Sequence, residues 1–283
     1  MCRFIVYLGQ PIGLGELLIE PVNSLIHQSF HSYASRSPVN ADGFGIGWYS
    51  EQRRSTPALF RSISPAWSNH NLRRIAGATF TDVVLAHVRA ASTNTWVSEA
   101  NCHPFVHDRY LFMHNGEVGG FRAVRRKLLS ALSDGAFETI EGSTDSEHVF
   151  ALFLDRLYGI DAVGVDRLAI ALRATIRALE TLAEECGVDE PSTLNLAISD
   201  GRCAVVSRYS SAVDRESAPS LYYHTGHRYR CRSGACEMVS ARPGEHDVIV
   251  SSEPLSEDEG WEEVPPNHFA LVDEARALRL EPI

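Results

Sequence analysis

The sequence predicts a single α+β domain of packed antiparallel sheets with helix layers outside. Three observations carry this. Strand-like apolar runs lie at both ends of the chain, helix-period runs lie between them, and no internal repeat or low-complexity linker interrupts the series. With 283 residues, 44% hydrophobic and 22% charged, the chain has ample material for a large core. One domain over 2–283 is expected, with an insertion around 226–247.

The first stretch, Met1-Cys2-Arg3-Phe4-Ile5-Val6-Tyr7-Leu8, places a thiol directly behind the initiator methionine and at the head of a mostly apolar strand. Removal of Met1 would leave a thiol and a free α-amine on one residue. That amine has a reference pKa of about 7.7–8.0, so near neutral pH part of it is unprotonated and can act as a base. A free thiol titrates near 8.5 and is only a few per cent thiolate at about pH 7. Nucleophile and base on one residue are the minimum apparatus for acyl transfer. Position alone leaves a chance cysteine as an equal reading.

Gly9 to Gly15, with Pro11, reads as a turn. A short helix over Glu16 to Ile19, a helical turn within Asn23 to Phe30, and a polar loop over Tyr33 to Pro38 follow. In Asn40-Ala41-Asp42-Gly43-Phe44-Gly45-Ile46-Gly47-Trp48-Tyr49 the alternating glycines fall on one face of a strand. Glycine weakens a strand unless something approaches closely on that side. The spacing is neither GxGxxG nor a Walker pattern, so a neighbouring backbone or a small substrate is the expected neighbour. Ser64 and Pro65 open a helix reaching about Gly77. Asp82 to Arg89 is a strong strand ending in small, polar Ala90 to Thr93, with His87 read as a core or supporting residue.

Asn101 to Phe105 reads as a loop, and Arg109 to His114 as a strand breaking at Asn115-Gly116. That dipeptide commonly makes a hairpin turn. Here a helical face formed by Phe121, Val124, Leu128, Leu129 and Leu132 follows instead, which leaves the Asn amide and Gly N–H for other work. Ser143-Thr144-Asp145-Ser146-Glu147 is a capping signature before the apolar run Val149 to Leu157, and Asp145 is an acid favoured in a first helical turn. A long helix spans Asp161 to Gly187. Leu194 to Ser199 and Arg202 to Tyr209 form a hairpin about Asp200-Gly201. Strands follow at Leu221 to His224, Val248 to Ser251 and Phe269 to Val272.

A net charge of -10 and a pI near 5.6 argue against nucleic-acid and membrane-surface binding, which want basic patches. No apolar run approaches the roughly 20 residues that cross a bilayer, and the N-terminus lacks a secretory pattern. A cytoplasmic location is expected. The six cysteines, at 2, 102, 186, 203, 231 and 236, read as mostly reduced thiols. Cys231 and Cys236 are the one close pair, and their spacing matches neither CxxC nor the usual zinc pairs. No metal or cofactor is expected.

The motifs resemble, in order, those of the class II glutamine amidotransferases. They are Cys2, Asn40 to Gly45, Ala86-His87-Val88-Arg89-Ala90-Ala91-Ser92, His103-Pro104-Phe105, His114-Asn115-Gly116-Glu117 and Ser143 to Glu147. The tail Val250-Ser251-Ser252-Glu253-Pro254-Leu255, with Trp261 after it, resembles the stand-alone branch of that family. That branch includes YafJ-like proteins, the fungal glutathione-degrading amidotransferase subunit and the ergothioneine-pathway γ-glutamyl hydrolase. The resemblance implies a four-layer αββα sandwich of the N-terminal-nucleophile (Ntn) hydrolase type. It implies Cys2 as nucleophile and Asn115 with Gly116 as oxyanion hole. Arg89 would take the substrate α-carboxylate and Asp145 the α-ammonium, with His103 and Ser92 at the pocket rim. Asn40 and Asp42 read as supports of the glycine strand. The implied activity is hydrolysis of γ-glutamyl amide bonds. Since nothing resembles a synthase domain, ammonia or an amine would pass to water or to a separate acceptor or peptidase subunit. A non-catalytic glutamine-sensing subunit is the alternative reading, and a thiol redox protein built on Cys231 and Cys236 a third.

Overall fold

The computed structural model describes residues 2–31, 39–50, 53–91, 96–214, 217–232, 235–242 and 245–283. The loop expected over Tyr33 to Pro38, and Ser92, lie outside these. In chain order the elements are β1 (Arg3–Gly13), α1 (Leu14–Leu18), α2 (Leu25–Phe30), β2 (Phe44–Ser50), β3 (Arg53–Ser62), α3 (His70–Ala78), β4 (Phe80–Val88), β5 (Phe105–His107), β6 (Tyr110–Glu117), α4 (Phe121–Ala131), α5 (Asp134–Phe137), α6 (Asp145–Leu157), α7 (Gly164–Glu185), β7 (Thr193–Ser199), β8 (Ala204–Arg208), β9 (Tyr222–Arg232), β10 (Ala235–Ser240), β11 (Asp247–Ser251), β12 (Glu262–Glu263), β13 (His268–Val272) and β14 (Leu278–Pro282).

Two antiparallel sheets result. The first has the order β10-β9-β11-β1-β4-β2-β3, with β12 on β9; the second has the order β14-β13-β8-β7-β6-β5. Side chains alternate between faces along each strand. Phe4, Val6, Leu8, Val83, Leu85, Leu111, Met113 and Val206 therefore meet between the sheets. Ile5, Tyr7, Val84 and Ala86 point the other way, onto Leu14, Leu17, Leu25 and Leu72 of α1–α3. Phe112, Leu196 and Val205 point away from the first sheet onto Val124, Val149, Phe153, Leu172 and Ile176 of α4, α6 and α7. The layers run α, β, β, α, and fully burying each large apolar side chain contributes about 1.5–3 kcal/mol.

Several local expectations change. β1 runs on through Gly9 to Gly13 where a turn was expected, absorbing a register shift against β4 between Leu8 and Ile12. Side chains take over the lost ladder bonds: Asp247 accepts the Gln10 N–H at 2.7 Å, and the Tyr7 hydroxyl donates to the Gln10 carbonyl at 2.6 Å. Pro65 opens only a 3₁₀ turn, Ala66–Ser68; α3 starts later, where Asn69 accepts the Leu72 N–H at 2.8 Å. β6 continues past Asn115, because Asn115 and Gly116 pair with Asn195 and Leu194 of β7. Residues 226–247 supply most of a β9–β10 hairpin at the sheet edge. There Cys231 lies directly opposite Cys236, Cα atoms 4.0 Å apart, and the two form a disulfide; this corrects the expectation of reduced thiols. Cys2, Cys102, Cys186 and Cys203 are free.

The glycine strand meets a backbone, as its pattern predicts. A Cβ on Gly45 would lie 2.2 Å from the His103 carbonyl oxygen. Beside it, the His87 ring of the first sheet donates its Nε2–H to the His114 carbonyl of the second, at 3.2 Å. Burial lowers the pKa of His87 to about 3, so the ring stays neutral.

Two outcomes follow from this packing. Gly45→Ala should lower unfolding free energy by about 1–3 kcal/mol in urea titration, since backbone rather than a flexible tip must yield. An unfolded histidine titrates near 6.5, and His87 in the fold near 3. The unfolded chain therefore takes up the proton first as pH falls. Stability is fully present above about 6.5 and is lost progressively toward about 3. Thermal unfolding temperature should fall across that window, and less steeply in His87→Asn.

Candidate active site

The pairing of β1 with β4 sets Arg3 opposite Val88. Cys2 therefore leaves the end of β1 beside Ala90. Its Sγ accepts the Ala90 N–H at 3.4 Å and contacts the Ala90 carbonyl at 3.5 Å. Arg3 points to the opposite side. Its Nη1 donates to the Cys2 carbonyl at 2.8 Å, and its Nε to Glu253 at 2.8 Å, with both side chains only 3% exposed. Ser252 Oγ accepts the Phe4 N–H at 3.0 Å. The Cys2 backbone is thus clamped to the segment after β11. Removing one partner of a buried pair costs about 3–5 kcal/mol, because the other charge is stranded. Burial pushes the Cys2 thiol up, while the Ala90 amide and the nearby Arg89 and Arg3 cations pull it part of the way back. The resting group is a thiol that needs a base.

Arg89 follows β4 and is 3% exposed. Its N–H donates to the Gly43 carbonyl at 2.8 Å, and its carbonyl accepts the Asp42 N–H at 3.1 Å. Its guanidinium makes long contacts to the carbonyls of Asp42 and Trp96, at 3.4 and 3.5 Å. Asp42 accepts the Ala91 N–H at 2.8 Å, so it braces the turn after β4. Asn40 is buried, and its backbone N–H donates to Ser29 at 2.6 Å.

Asn115 and Gly116 sit near the end of β6, one strand layer away. The Asn115 side chain is 1% exposed, and neither its oxygen nor its nitrogen has a partner among the described residues. Leaving a buried polar group unbonded costs about 1–3 kcal/mol, so such a group calls for an explanation, and a ligand supplies one. Gly116 has φ +152°, and a Cβ there would lie 1.9 Å from the Thr193 carbonyl oxygen, so no side chain fits.

The helix that carries Asp145 is tied to the same strand. His114 donates its Nε2–H to the Thr193 carbonyl at 3.1 Å and pairs through Nδ1 with Ser146 Oγ at 2.9 Å. Ser146 Oγ lies 3.2 Å from Asp145 Oδ1, and Asp145 Oδ2 accepts the Val118 N–H at 2.9 Å. Thr144 caps α6 by accepting the Glu147 N–H at 3.2 Å. Only half of the expected box forms, since the Glu147 carboxylate accepts the N–H groups of Glu141 and Gly142 instead, at 2.9 and 2.7 Å.

His103 departs from its expected place at the rim. It is 3% exposed and packs at a tilt against His87, with ring centroids 4.2 Å apart. Burial holds its pKa well below the usual histidine range. The reason is Gly45, which lets the loop of Cys102 and His103 descend onto β2. Ser92 lies outside the described residues. The structure thus joins Cys2 to Arg89 across the β1–β4 edge, Asn115 to them through the His114–His87 contact, and Asp145 through Ser146. Sequence reasoning gave no role to Arg3, His114, Ser146 or Glu253. Glu253 stood in a recognised motif, but its partner lies 250 positions away.

Together these groups offer a nucleophile, an unspent amide donor, a cation suited to a carboxylate and a carboxylate suited to an ammonium. The family of class II glutamine amidotransferases matches residues 18–280. The probable glutamine amidotransferase DUG3 of Saccharomyces cerevisiae is 41% identical, over all of this chain and 84% of its own length. The gamma-glutamyl-hercynylcysteine sulfoxide hydrolase of Mycolicibacterium smegmatis is 26% identical, over 98% of each chain. Among solved structures, a glutamine aminotransferase class-II domain protein from Silicibacter pomeroyi superposes with a TM-score of 0.68 at 30% identity, covering 100% of this chain and 99% of that one. The glutamine phosphoribosylpyrophosphate amidotransferase of B. subtilis shares the fold, with a TM-score of 0.63 at 13% identity over 99% of this chain and 49% of that one. The α, β, β, α layering, the strand-end cysteine and these matches agree: the chain belongs to the class II glutamine amidotransferases.

Proposed function

We propose that residues 2–283 act as one amidohydrolase domain that cleaves the γ-amide bond of glutamine or of γ-glutamyl conjugates through a thioester on Cys2. The observation that carries this is the buried, unbonded Asn115 amide, on a strand joined to β4 by the contact of His87 with the His114 carbonyl. After Met1 is removed, the Cys2 α-amine takes the thiol proton through a water molecule, and Sγ attacks the amide carbon. Asn115 Nδ2–H and the Gly116 N–H receive the oxyanion. The C–N bond breaks and the amine leaves with the proton. Water then attacks the thioester, releasing glutamate and restoring the thiol. Arg89 forks the substrate α-carboxylate, a two-point contact that lysine does not reproduce. Asp145 meets the α-ammonium as its carboxylate partner.

The conjugate in the name of the mycobacterial relative supports a small γ-glutamyl substrate with a bulky leaving group. The leaving amine passes to water or to a separate acceptor or peptidase subunit. The nucleophile is a thiol and four cysteines are free, which fits a reducing, cytoplasmic setting. Among the described residues, no helix is long and apolar enough to cross a membrane.

Purified protein incubated with glutamine, glutathione and other γ-glutamyl amides should release glutamate from at least one. Cys2→Ala should abolish release with circular dichroism unchanged; substantial residual activity refutes the mechanism. Asn115→Ala should lower kcat by about 10²–10³-fold. Activity should fall as pH drops below about 7.7–8.0, where the α-ammonium can no longer accept a proton. Active protein whose mass retains Met1 would contradict the scheme.

A further inference from the structure

The β9–β10 hairpin plays no part in this chemistry, yet it holds a cluster that the catalytic reading leaves unexplained. Cys231 and Cys236 face each other across the ladder, and the Glu20 carboxylate joins them. The two sulfurs and a Glu20 oxygen all lie within 4.8 Å of one another. Among the described residues this is where three such side chains converge. The second carboxylate nearby, Glu16, accepts the Cys231 N–H at 3.2 Å, so the hairpin is already docked on α1. Both cysteines are half-buried and Glu20 is exposed, so an ion can reach them from solvent. Cys231 lines a cavity with Glu16, Tyr229 and Asp247, and Cys236 lines a second.

We propose that, with the disulfide reduced, Cys231, Cys236 and Glu20 form a binding site for a thiophilic divalent cation, Zn²⁺ by its chemistry. Two thiolates and one carboxylate separated by four intervening residues and one helix end make a three-ligand set, with water completing a tetrahedron. Thiolates select zinc over magnesium or calcium, which want oxygen ligands. Zn–S bonds of about 2.3 Å put the two sulfurs roughly 3.8 Å apart, whereas the disulfide joins them, so the two states exclude each other. The interconversion balances. A dithiol reductant passes two electrons and two protons to the S–S bond and is itself oxidised to a disulfide. Binding of the ion then releases the two thiol protons to solvent. Either state fastens the β9–β10 hairpin, but only the metal state ties it to the segment after α1.

This site lies toward the opposite end of the first sheet from Cys2. β1 runs from the nucleophile to α1 over 11 residues, roughly 30 Å of strand. Its test is therefore independent of hydrolysis. Full-length protein, reduced with a dithiol and freed of reductant under argon, is titrated with Co²⁺ and then Zn²⁺. One equivalent of Co²⁺ should give thiolate-to-cobalt charge-transfer absorption, bleached by one equivalent of Zn²⁺. The oxidised protein should give none. Cys231→Ser/Cys236→Ser should give none, and Glu20→Gln, which leaves both thiols in place, should bind at least about tenfold more weakly. Circular dichroism of each variant reports whether it is folded. Absence of the band in reduced wild-type protein overturns the proposal, as does its persistence in the double serine variant. Unchanged affinity in Glu20→Gln overturns the three-ligand site. Failure to release glutamate would leave all of these readings intact.

Discussion

Everything at the active end depends on the register between β1 and β4. Arg3 faces Val88 and Phe4 faces His87 in that ladder, so Cys2 and Arg89 emerge side by side where the two strands end. Strand side chains alternate faces with period two. The same register turns Phe4 into the space between the sheets and sends Arg3 out to Glu253 on the other face. A slip of one residue would bury the guanidinium among Val83, Leu85 and Met113 and move Cys2 off its neighbours. β4 is also paired with β2, so the glycine strand, the His103 loop and Arg89 inherit their positions from one ladder.

Around that frame, buried polar groups are treated in two ways. Some are closed off: Arg3 with Glu253, and His114 with Ser146 and Thr193. These hold backbone in place and leave little freedom for the strand ends. Others are left open. Asn115 is buried with its amide unbonded, and His103 is buried with both ring nitrogens unbonded among the described residues. An unspent amide lowers stability, and the oxyanion of the proposed reaction would supply the missing partner. His87 and His103 pack ring against ring, and burial holds both well below the usual histidine range, so neither adds a cation beside Arg89.

Much of the fold was legible because its signals are local. The apolar run of β1, the helical face of α4, the cap at Thr144 and the Asp200-Gly201 hairpin all follow from residues a few positions apart. The glycines at 43, 45 and 47 announced a close approach, and the structure supplies the Cys102 sulfur against Gly43, the His103 carbonyl against Gly45 and the Leu111 side chain against Gly47. Edge strands were harder to see. β3, β5, β10 and β14 lie at or beside sheet edges, where polar side chains are tolerated and the apolar alternation fades. The bulge in β1 looked like a turn because Gly9 and Pro11 are turn formers, and Asp247, far along the chain, helps to make the extended path workable.

By itself the sequence determined the kind of chemistry: a cysteine heading an apolar strand, an Asn-Gly ahead of a helix, and an acid in a first helical turn are statements about neighbouring residues. Tertiary structure alone decided that Cys2 and Arg89 emerge side by side, that His103 is buried against His87, and that two cysteines of an edge hairpin face each other beside Glu20. Those outcomes rest on contacts between residues tens to hundreds of positions apart, such as Arg3 with Glu253, and no local spacing encodes them.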